Sequence, residues 1–135
     1  GSTNTGSAYN TTKSSSFYYS YNRGSDSANN FQAQTSLDLA QSTNFQDIAY
    51  NTNVDNYSSM SGCLYIFNPS STTFVKHFIS TTNDEAQTSG EQGLSQVCYV
   101  GGYFNTTSAV DAIRFQFNSG NMDSGTIKLY GIKDS

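Results

Sequence analysis

The sequence predicts an all-β fold, and three observations support this. Short segments of alternating apolar and polar residues recur along the chain, and runs of Gly, Asn and Ser separate them. Aromatic residues make up 14% of a chain that has one proline and no tryptophan. Aromatic residues favour strands, and short strands spaced by such turns are typical of antiparallel sandwiches. We therefore expect seven or eight strands in a two-sheet antiparallel sandwich, with an immunoglobulin-like or jelly-roll-like topology.

The chain is long enough for one hydrophobic core. A length of 135 residues with 35% hydrophobic content leaves no room for a second core of useful size. Residues 1–16, GSTNTGSAYNTTKSSS, show no apolar periodicity and predict an extended arm or loop. Residues 17–135 then form a single β-sandwich domain.

The N-terminal half of that domain contains two predicted strands. The first is the short run SFYYSY. The second runs from Phe31 to Leu39, where every other residue is apolar or Thr and the residues between them are polar. The run FQDIAY at 45–50 fits either a strand or one helical turn, and residues 52–61 predict a polar loop.

The middle of the chain predicts a hairpin and a further strand. Two β-rich runs, GCLYIF and TTFVKHFIS, flank a turn in which Pro69 sets the backbone angle for the second position and Asn68 suits the first. Residues 81–95 are polar and predict a long loop. The run VCYVGGYF predicts a strand, with a bulge or a close backbone approach at Gly101-Gly102.

The end of the chain predicts a closing hairpin. In IRFQF and TIKLYGI, apolar and polar residues alternate with the period of two that a half-buried strand requires. The run NSGNMDSG between them holds two glycines that suit a turn. We expect these strands, at 113–117 and 126–132, to pair and to belong to the core.

Charge argues against two classes of partner. The net charge is −4, and the six Lys and Arg residues are scattered along the chain. Binding to nucleic acid or to an anionic membrane takes clustered cations, so neither partner is expected. No apolar run reaches the roughly 18 residues that span a bilayer, so we expect no membrane insertion.

The two cysteines, Cys63 and Cys98, both fall in predicted strands. A disulfide requires those strands to adjoin, and two small buried thiols are the simpler interpretation. The sequence leaves the choice open.

Residues that carry enzyme chemistry are sparse. His77 is the only histidine, no nucleophile motif accompanies it, and the ten carboxylates are dispersed. Asp84, Glu85 and Glu91 share one predicted loop, yet their spacing matches no EF-hand pattern, so a solvated acidic loop is the simpler interpretation and Ca²⁺ binding stays open. The sequence therefore predicts no catalytic residue, no metal site and no cofactor, and we expect a protein that is not an enzyme.

The loops and strands are instead rich in hydroxyls, amides and tyrosines. A tyrosine ring can lie against the C–H face of a sugar, while carboxylate and amide groups can pair with its hydroxyls. The residues predicted to bind such a ligand are Tyr99, Tyr103, Tyr130, Asp84 and Glu85.

Two segments closely resemble the C-terminal region of phage virion proteins, especially those of marine and environmental phages. They are SGCLYIFNPSSTTFVKHFIS and GGYFNTTSAVDAIRFQFNSGNMDSGTIKLYGIK. The family pattern runs approximately "SGTIYLFNPSSTT", then a polar loop, then "AIRFxFSSGNIxSGTIKLYGIK". The resemblance covers residues 61–133 and is specific in order and spacing.

The resemblance implies a tail-fibre, tailspike or head-appendage subunit with a terminal β-sandwich, often trimeric, that binds host surface glycans. Relatives carry further core strands upstream, so we expect that a strand comes from another chain or that an edge lies open, which favours a homotrimer. The expected function is host attachment at the virion surface, through a host polysaccharide and contacts to other virion proteins. The alternatives are a capsid or tail decoration subunit and a carbohydrate-binding module of a secreted protein.

Overall fold

Six antiparallel strands form one sheet in the part of the chain that the structure describes. The structure is a computed structural model, and it describes residues 1–23, 29–52, 58–88, 91–120 and 122–132. The strands are β1 (Lys13–Asn22), β2 (Asn29–Ala33), β3 (Leu39–Ser42), β4 (Met60–Ile66), β5 (Lys76–Thr88) and β6 (Glu91–Phe104). Their order is β2-β1-β6-β5-β4, and β3 also pairs with β1. The antiparallel all-β class is confirmed, whereas the second sheet stays a prediction.

Strand β1 lies near the centre of the sheet, and its side chains alternate between a buried face and an exposed face. Phe17 and Tyr19 are buried on one face, and Tyr18 points to the other. Phe17 is completely buried and packs in the core with Phe78, Val100 and Phe104. The face that carries Phe17 is called the covered face below, and the face that carries Tyr18 is called the open face.

The single strand predicted from Phe31 to Leu39 is wrong. The chain forms β2, a short 3₁₀ turn at Thr35–Leu37 and then β3. The break occurs because both backbone groups of Phe17 bind this segment: Gln34 N–H donates to Phe17 O at 2.9 Å, and Phe17 N–H donates to Asp38 Oδ1 at 2.7 Å. These two bonds draw the chain off the sheet between β2 and β3.

The hairpin of β4 and β5 is confirmed. Its turn contains the expected bond from Ser71 N–H to Asn68 O at 3.0 Å. Gly101 and Gly102 continue the regular pairing of β6, so the alternative of a bulge is wrong. The alternative of a close backbone approach holds at Gly102, where an added Cβ would lie 2.5 Å from Ser14 O.

The long loop predicted over residues 81–95 is wrong, because β5 and β6 extend into it as one hairpin. The inward side chains of this hairpin include Thr82, Asp84 and Gln96, which are polar yet buried. A polarity pattern therefore indicates a loop where the structure has two strands. These polar groups have partners in the layer that covers them.

That layer consists of irregular chain. Thr82 Oγ1 donates to Ile48 O at 2.5 Å, and Gln96 Nε2 donates to Tyr50 O. Thr52 adds an isolated antiparallel bridge to Ala86. The run at 45–50, predicted as strand or helical turn, forms neither and instead offers its carbonyls to the sheet. Loop carbonyls need donors, and this explains why the covered face is partly polar.

The N-terminal residues 1–12 also pack on the domain. Ser2 N–H donates to Ala112 O at 2.8 Å, and Ser2 is fully buried. Residues 13–16 already belong to β1. The predicted boundary between an arm and the domain at residue 16 therefore falls inside a strand.

The closing hairpin does not form among the described residues. The described residues from 113 to 132 contain no strand, and Phe115, Phe117 and Ile127 are exposed. Only Ile113 packs against the core. The strands predicted at 113–117 and 126–132, and their place in the core, are therefore wrong for these residues. Alternation alone does not make a strand, because a strand needs a hydrogen-bonding neighbour, and none of the described residues supplies one.

The cysteines do not adjoin. Cys98 is buried on the covered face of β6, whereas Cys63 is exposed on β4, and β5 lies between them. Both are free, so the interpretation as buried thiols is correct for Cys98 and wrong for Cys63. Burial, with the nearby Asp84 carboxylate as a smaller cause, raises the pKa of the Cys98 thiol to about 11. Cys63 is the accessible thiol of the pair.

Candidate functional site

Three aromatic rings meet on the open face of the sheet. The rings of Tyr18 and Phe31 stack with centroids 5.9 Å apart and an interplanar angle of 1°. The ring of Tyr99 lies 6.1 Å from that of Phe31 at 57°. We call these three residues the aromatic platform. Tyr18 and Tyr99 are each about two-fifths exposed and Phe31 is 62% exposed, so ring surface faces solvent.

The strand register brings the platform together. Tyr18 on β1 pairs directly with Tyr99 on β6, and Ser20 pairs with Phe31 on β2. Tyr99 therefore lies directly opposite Tyr18, and Phe31 lies diagonally across from Tyr18, a separation that aromatic side chains can span. Two consecutive strands, β1 and β2, and the distant strand β6 thus supply one apolar surface.

Further apolar side chains continue the open face toward β4. Tyr65 and Ile79 pair with each other and are about half exposed. Gly101 pairs with Ile79, and a Cβ added there would meet nothing within 4 Å. The glycine therefore leaves a gap in the row of side chains between β1 and β5. A monomeric protein seldom exposes a large apolar patch without a binding role.

A shallow polar pocket lies at one end of the same face. Its volume is about 380 Å³, and its lining comprises Ser59, Ser61, Asn83, Asp84, Glu85, Gly93, Leu94 and Ser95. Four residues of β6 separate Ser95 from Tyr99, which corresponds to about 13 Å at the rise of an extended strand. The pocket and the platform are therefore close enough to contact one extended ligand.

The two predicted acidic residues have different positions in this pocket. Glu85 is partly exposed, and its carboxylate accepts a hydrogen bond from Ser58 Oγ at 3.4 Å. Asp84 is 3% exposed, and it accepts hydrogen bonds from Thr52 Oγ1 at 2.8 Å and from Gln96 Nε2 at 3.3 Å. Glu85 is placed to contact a ligand, whereas Asp84 supports the pocket from beneath.

Burial raises the pKa of Asp84 above its ordinary value of 3.8, and the bonds from Thr52 and Gln96 oppose this only in part. The folded chain therefore holds the Asp84 proton to a higher pH than the unfolded chain does. The stability that this carboxyl contributes is fully present below pH 3.8 and is lost as the pH rises through the folded-state pKa.

Replacing Asp84 by Asn removes this titration while keeping one acceptor oxygen. We expect Asp84→Asn to be at least as stable as the parent chain at pH 7, and to lose that advantage as the pH falls toward 4. Urea denaturation of both proteins between pH 4 and 7 measures the difference. A difference in stability that is the same at every pH would contradict the assignment.

Tyr103 lies at the opposite end of the open face. Its ring centroid is 6.0 Å from that of His77, and its hydroxyl accepts a hydrogen bond from Gln41 Nε2 at 3.1 Å. A second pocket, of about 300 Å³, lies beside His77 and is lined by Phe67, Asn68, Phe74 and Val75 as well. His77 is therefore an exposed neighbour of an apolar pocket.

The structure thus gathers some of the predicted residues and separates others. Tyr99, Tyr103 and Glu85 lie along one face, whereas Tyr130 lies in the C-terminal segment that contains no strand. Phe31 was missed as a site residue because its alternation places it on a strand without indicating which face is covered. The pairing of β2 with β1 decides which face of β2 is covered, and the sequence of β2 alone does not show it.

The part of the chain that the structure describes contains no group of three or more His, Cys, Asp or Glu residues able to hold a metal ion. Among those same residues, no helix has the length and hydropathy needed to cross a membrane. No protein-family model, curated protein or solved structure matches the chain.

Proposed function

We propose that this chain is a non-enzymatic phage virion surface protein whose domain attaches a fibre or appendage to a host surface glycan. One observation supports the glycan ligand above the others, namely the aromatic platform formed by Tyr18, Phe31 and Tyr99. Exposed ring faces stack on the C–H faces of sugars, and they are costly to leave in water. The virion assignment is supported by the resemblance of residues 61–133.

The polar pocket supports an extended polysaccharide rather than a single sugar. Asn83 and Glu85 present amide and carboxylate groups that can pair with hydroxyls, and they lie on the same face as the platform. The separation of about 13 Å along β6 is comparable with two or three sugar rings. One glycan chain is proposed to stack on the platform and to place hydroxyls in the pocket.

The proposed setting is the virion surface, in a homotrimer held beside other virion proteins. Deleting the gene from the phage and imaging the purified particles tests this setting. Intact particles that no longer adsorb to the host support attachment. Particles that fall apart would support a decoration or scaffold role instead.

Binding itself is tested with purified host polysaccharide and the intact chain. The polysaccharide is expected to raise the melting temperature progressively with its concentration, because it binds only the folded state. Phe31→Ala is expected to weaken binding about fivefold, since losing a stacking ring costs on the order of 1 kcal/mol.

Phe74→Ala is the matched control, because Phe74 is an equally apolar exposed ring outside the platform. We expect its binding to equal that of the parent chain. Absence of any thermal shift across a broad panel of host glycans would refute the glycan ligand. Equal losses in both variants would place the binding site elsewhere.

A further inference from the structure

The C-terminal segment 126–132, TIKLYGI, has the pattern of a strand and lacks a partner among the described residues. Its large apolar side chains are exposed: Ile127 by 63%, Leu129 by 97%, Tyr130 by 76% and Ile132 by 89%. Ile127 and Leu129 fall on one side of the extended chain, with Lys128 and Tyr130 on the other. Such a row is stable in water only when another surface covers it.

The sheet offers an edge that fits this segment. Strand β4 pairs with β5 on one side, and no described strand pairs with the N–H and C=O groups of its other side. Its sequence MSGCLYI contains no charged residue and no proline, which are the usual protections of an exposed edge. An unprotected edge of this kind accepts an added strand readily.

The side chains of β4 make it a better acceptor than the opposite edge. Leu64 and Ile66 are only partly buried and pack at the rim of the core. On β2, by contrast, the residues of the covered side are Asn30 and Gln32, which pair with Tyr21 and Tyr19. An apolar strand therefore extends the core at β4 and would meet amides at β2.

We infer that segment 126–132 of one copy of this chain adds as a strand to the free edge of β4 in a second copy. Ile127 and Leu129 then join Leu64 and Ile66 on the covered side, and Tyr130 lies on the open side near Cys63. The partner is a second copy because, among the described residues of one folded chain, neither the segment nor the outer side of β4 is covered by the other.

Strand addition pairs backbone groups along the edge, so the assembly does not depend on side-chain area alone. Ile127 and Leu129 also bury apolar surface against Leu64 and Ile66. Every copy donates one segment and accepts another, so each copy makes this contact twice in a closed ring.

This assembly does not depend on glycan binding, because it uses β4 and the C-terminal segment and leaves the aromatic platform free. It supplies a physical mechanism for the homotrimer named in the proposed function. The two proposals are tested by different measurements. Strand exchange is tested by the oligomeric state, and glycan attachment is tested by polysaccharide binding.

Light scattering coupled to size exclusion measures the oligomeric state of the intact chain. We expect a closed oligomer for the parent and a monomer for the double variant Ile127→Asp, Leu129→Asp, with strand content retained by circular dichroism. The control is Ser119→Asp, Ser124→Asp, which adds the same charge outside the segment and should leave the oligomer intact. A monomeric parent, or an oligomer that persists in the Ile127, Leu129 variant, would overturn the inference.

Cross-linking tests the exchange of strands between copies even if the double variant fails to fold. Cys63 is exposed on β4 and Cys98 is buried, so a single new cysteine has one accessible partner. Under mild oxidation, Tyr130→Cys should form covalent dimers and larger species that vanish when Cys63→Ser is added. Leu129→Cys, facing the other side, should link at least tenfold less. A bond formed within one chain, or no bond with Tyr130→Cys, would refute strand exchange between copies.

Discussion

Replacing Phe17 by alanine is expected to lower the free energy of unfolding by about 3–5 kcal/mol, the range for a fully buried phenylalanine. Phe17 is completely buried, and its ring makes an edge contact with Tyr50 of the covering layer at 6.4 Å. Its backbone also binds Gln34 and Asp38, so the residue lies where the sheet, the core and the 3₁₀ turn meet. Removing the ring leaves a cavity that three neighbouring elements must share.

Tyr18→Ala is the matched control, because Tyr18 adjoins Phe17 in sequence and points to the open face. Its partial exposure limits the expected loss to about 1 kcal/mol. Urea denaturation followed by circular dichroism measures both variants. Equal losses would show that the two faces of the sheet are buried alike, contrary to the fold described above.

Gly102→Ala is expected to destabilise the domain by about 1–3 kcal/mol through overpacking. The added Cβ would lie 2.5 Å from Ser14 O and 2.8 Å from both the Phe78 ring and Ser15 Cβ. These atoms belong to strands β1 and β5 on either side of β6, so relief requires the sheet to spread. A substitution by valine should be worse, because its branched side chain enlarges the same clash.

Gly101→Ala provides the control one residue away. An added Cβ at Gly101 meets nothing within 4 Å, so no clash opposes it. Glycine weakens a strand by roughly 0.5–1 kcal/mol relative to alanine, so this variant should be neutral or slightly more stable. Thermal unfolding of both variants measures the contrast. Two glycine variants with the same melting temperature would contradict the assigned register of β6.

Much of the sheet was predictable from local pattern. The alternation in SFYYSY, GCLYIF and VCYVGGYF each identifies a real strand, and Pro69 identifies the turn of the β4–β5 hairpin. In these segments the inward residues are mostly apolar, so hydrophobicity reports burial directly. The close backbone approach at Gly102 was one of the two alternatives that the glycine pair indicated, and the other was a bulge.

The predictions were wrong where polar residues are buried or apolar residues are exposed. Thr82, Asp84 and Gln96 face the covered side, and their hydrogen bonds to other polar groups, including the loop carbonyls of Ile48 and Tyr50, replace apolar packing. Nothing in a local window shows that a loop 34 and 46 residues away in sequence accepts those two bonds. At the C-terminus the opposite occurred, because apolar alternation indicated burial that one chain does not provide.

The site was predictable only in part. Tyr99 was identified by residue type, yet its contact with Phe31 depends on the register of β1 with both β2 and β6. Asp84 and Glu85 were taken together as neighbours, and the alternation of β5 sends them to opposite faces. Residue type alone thus identifies candidate site residues, and the strand pairing decides which of them lie together.

The pairing of β1 with β6 has a consequence for how the protein is made. About 70 residues separate the end of β1 from the start of β6, so β1 acquires its central neighbour only late in translation. At synthesis rates of about 5–20 residues per second, roughly 4–14 s pass before the aromatic run SFYYSY can pair with β6. We expect the serines within this run to help keep the nascent chain from aggregating during that interval.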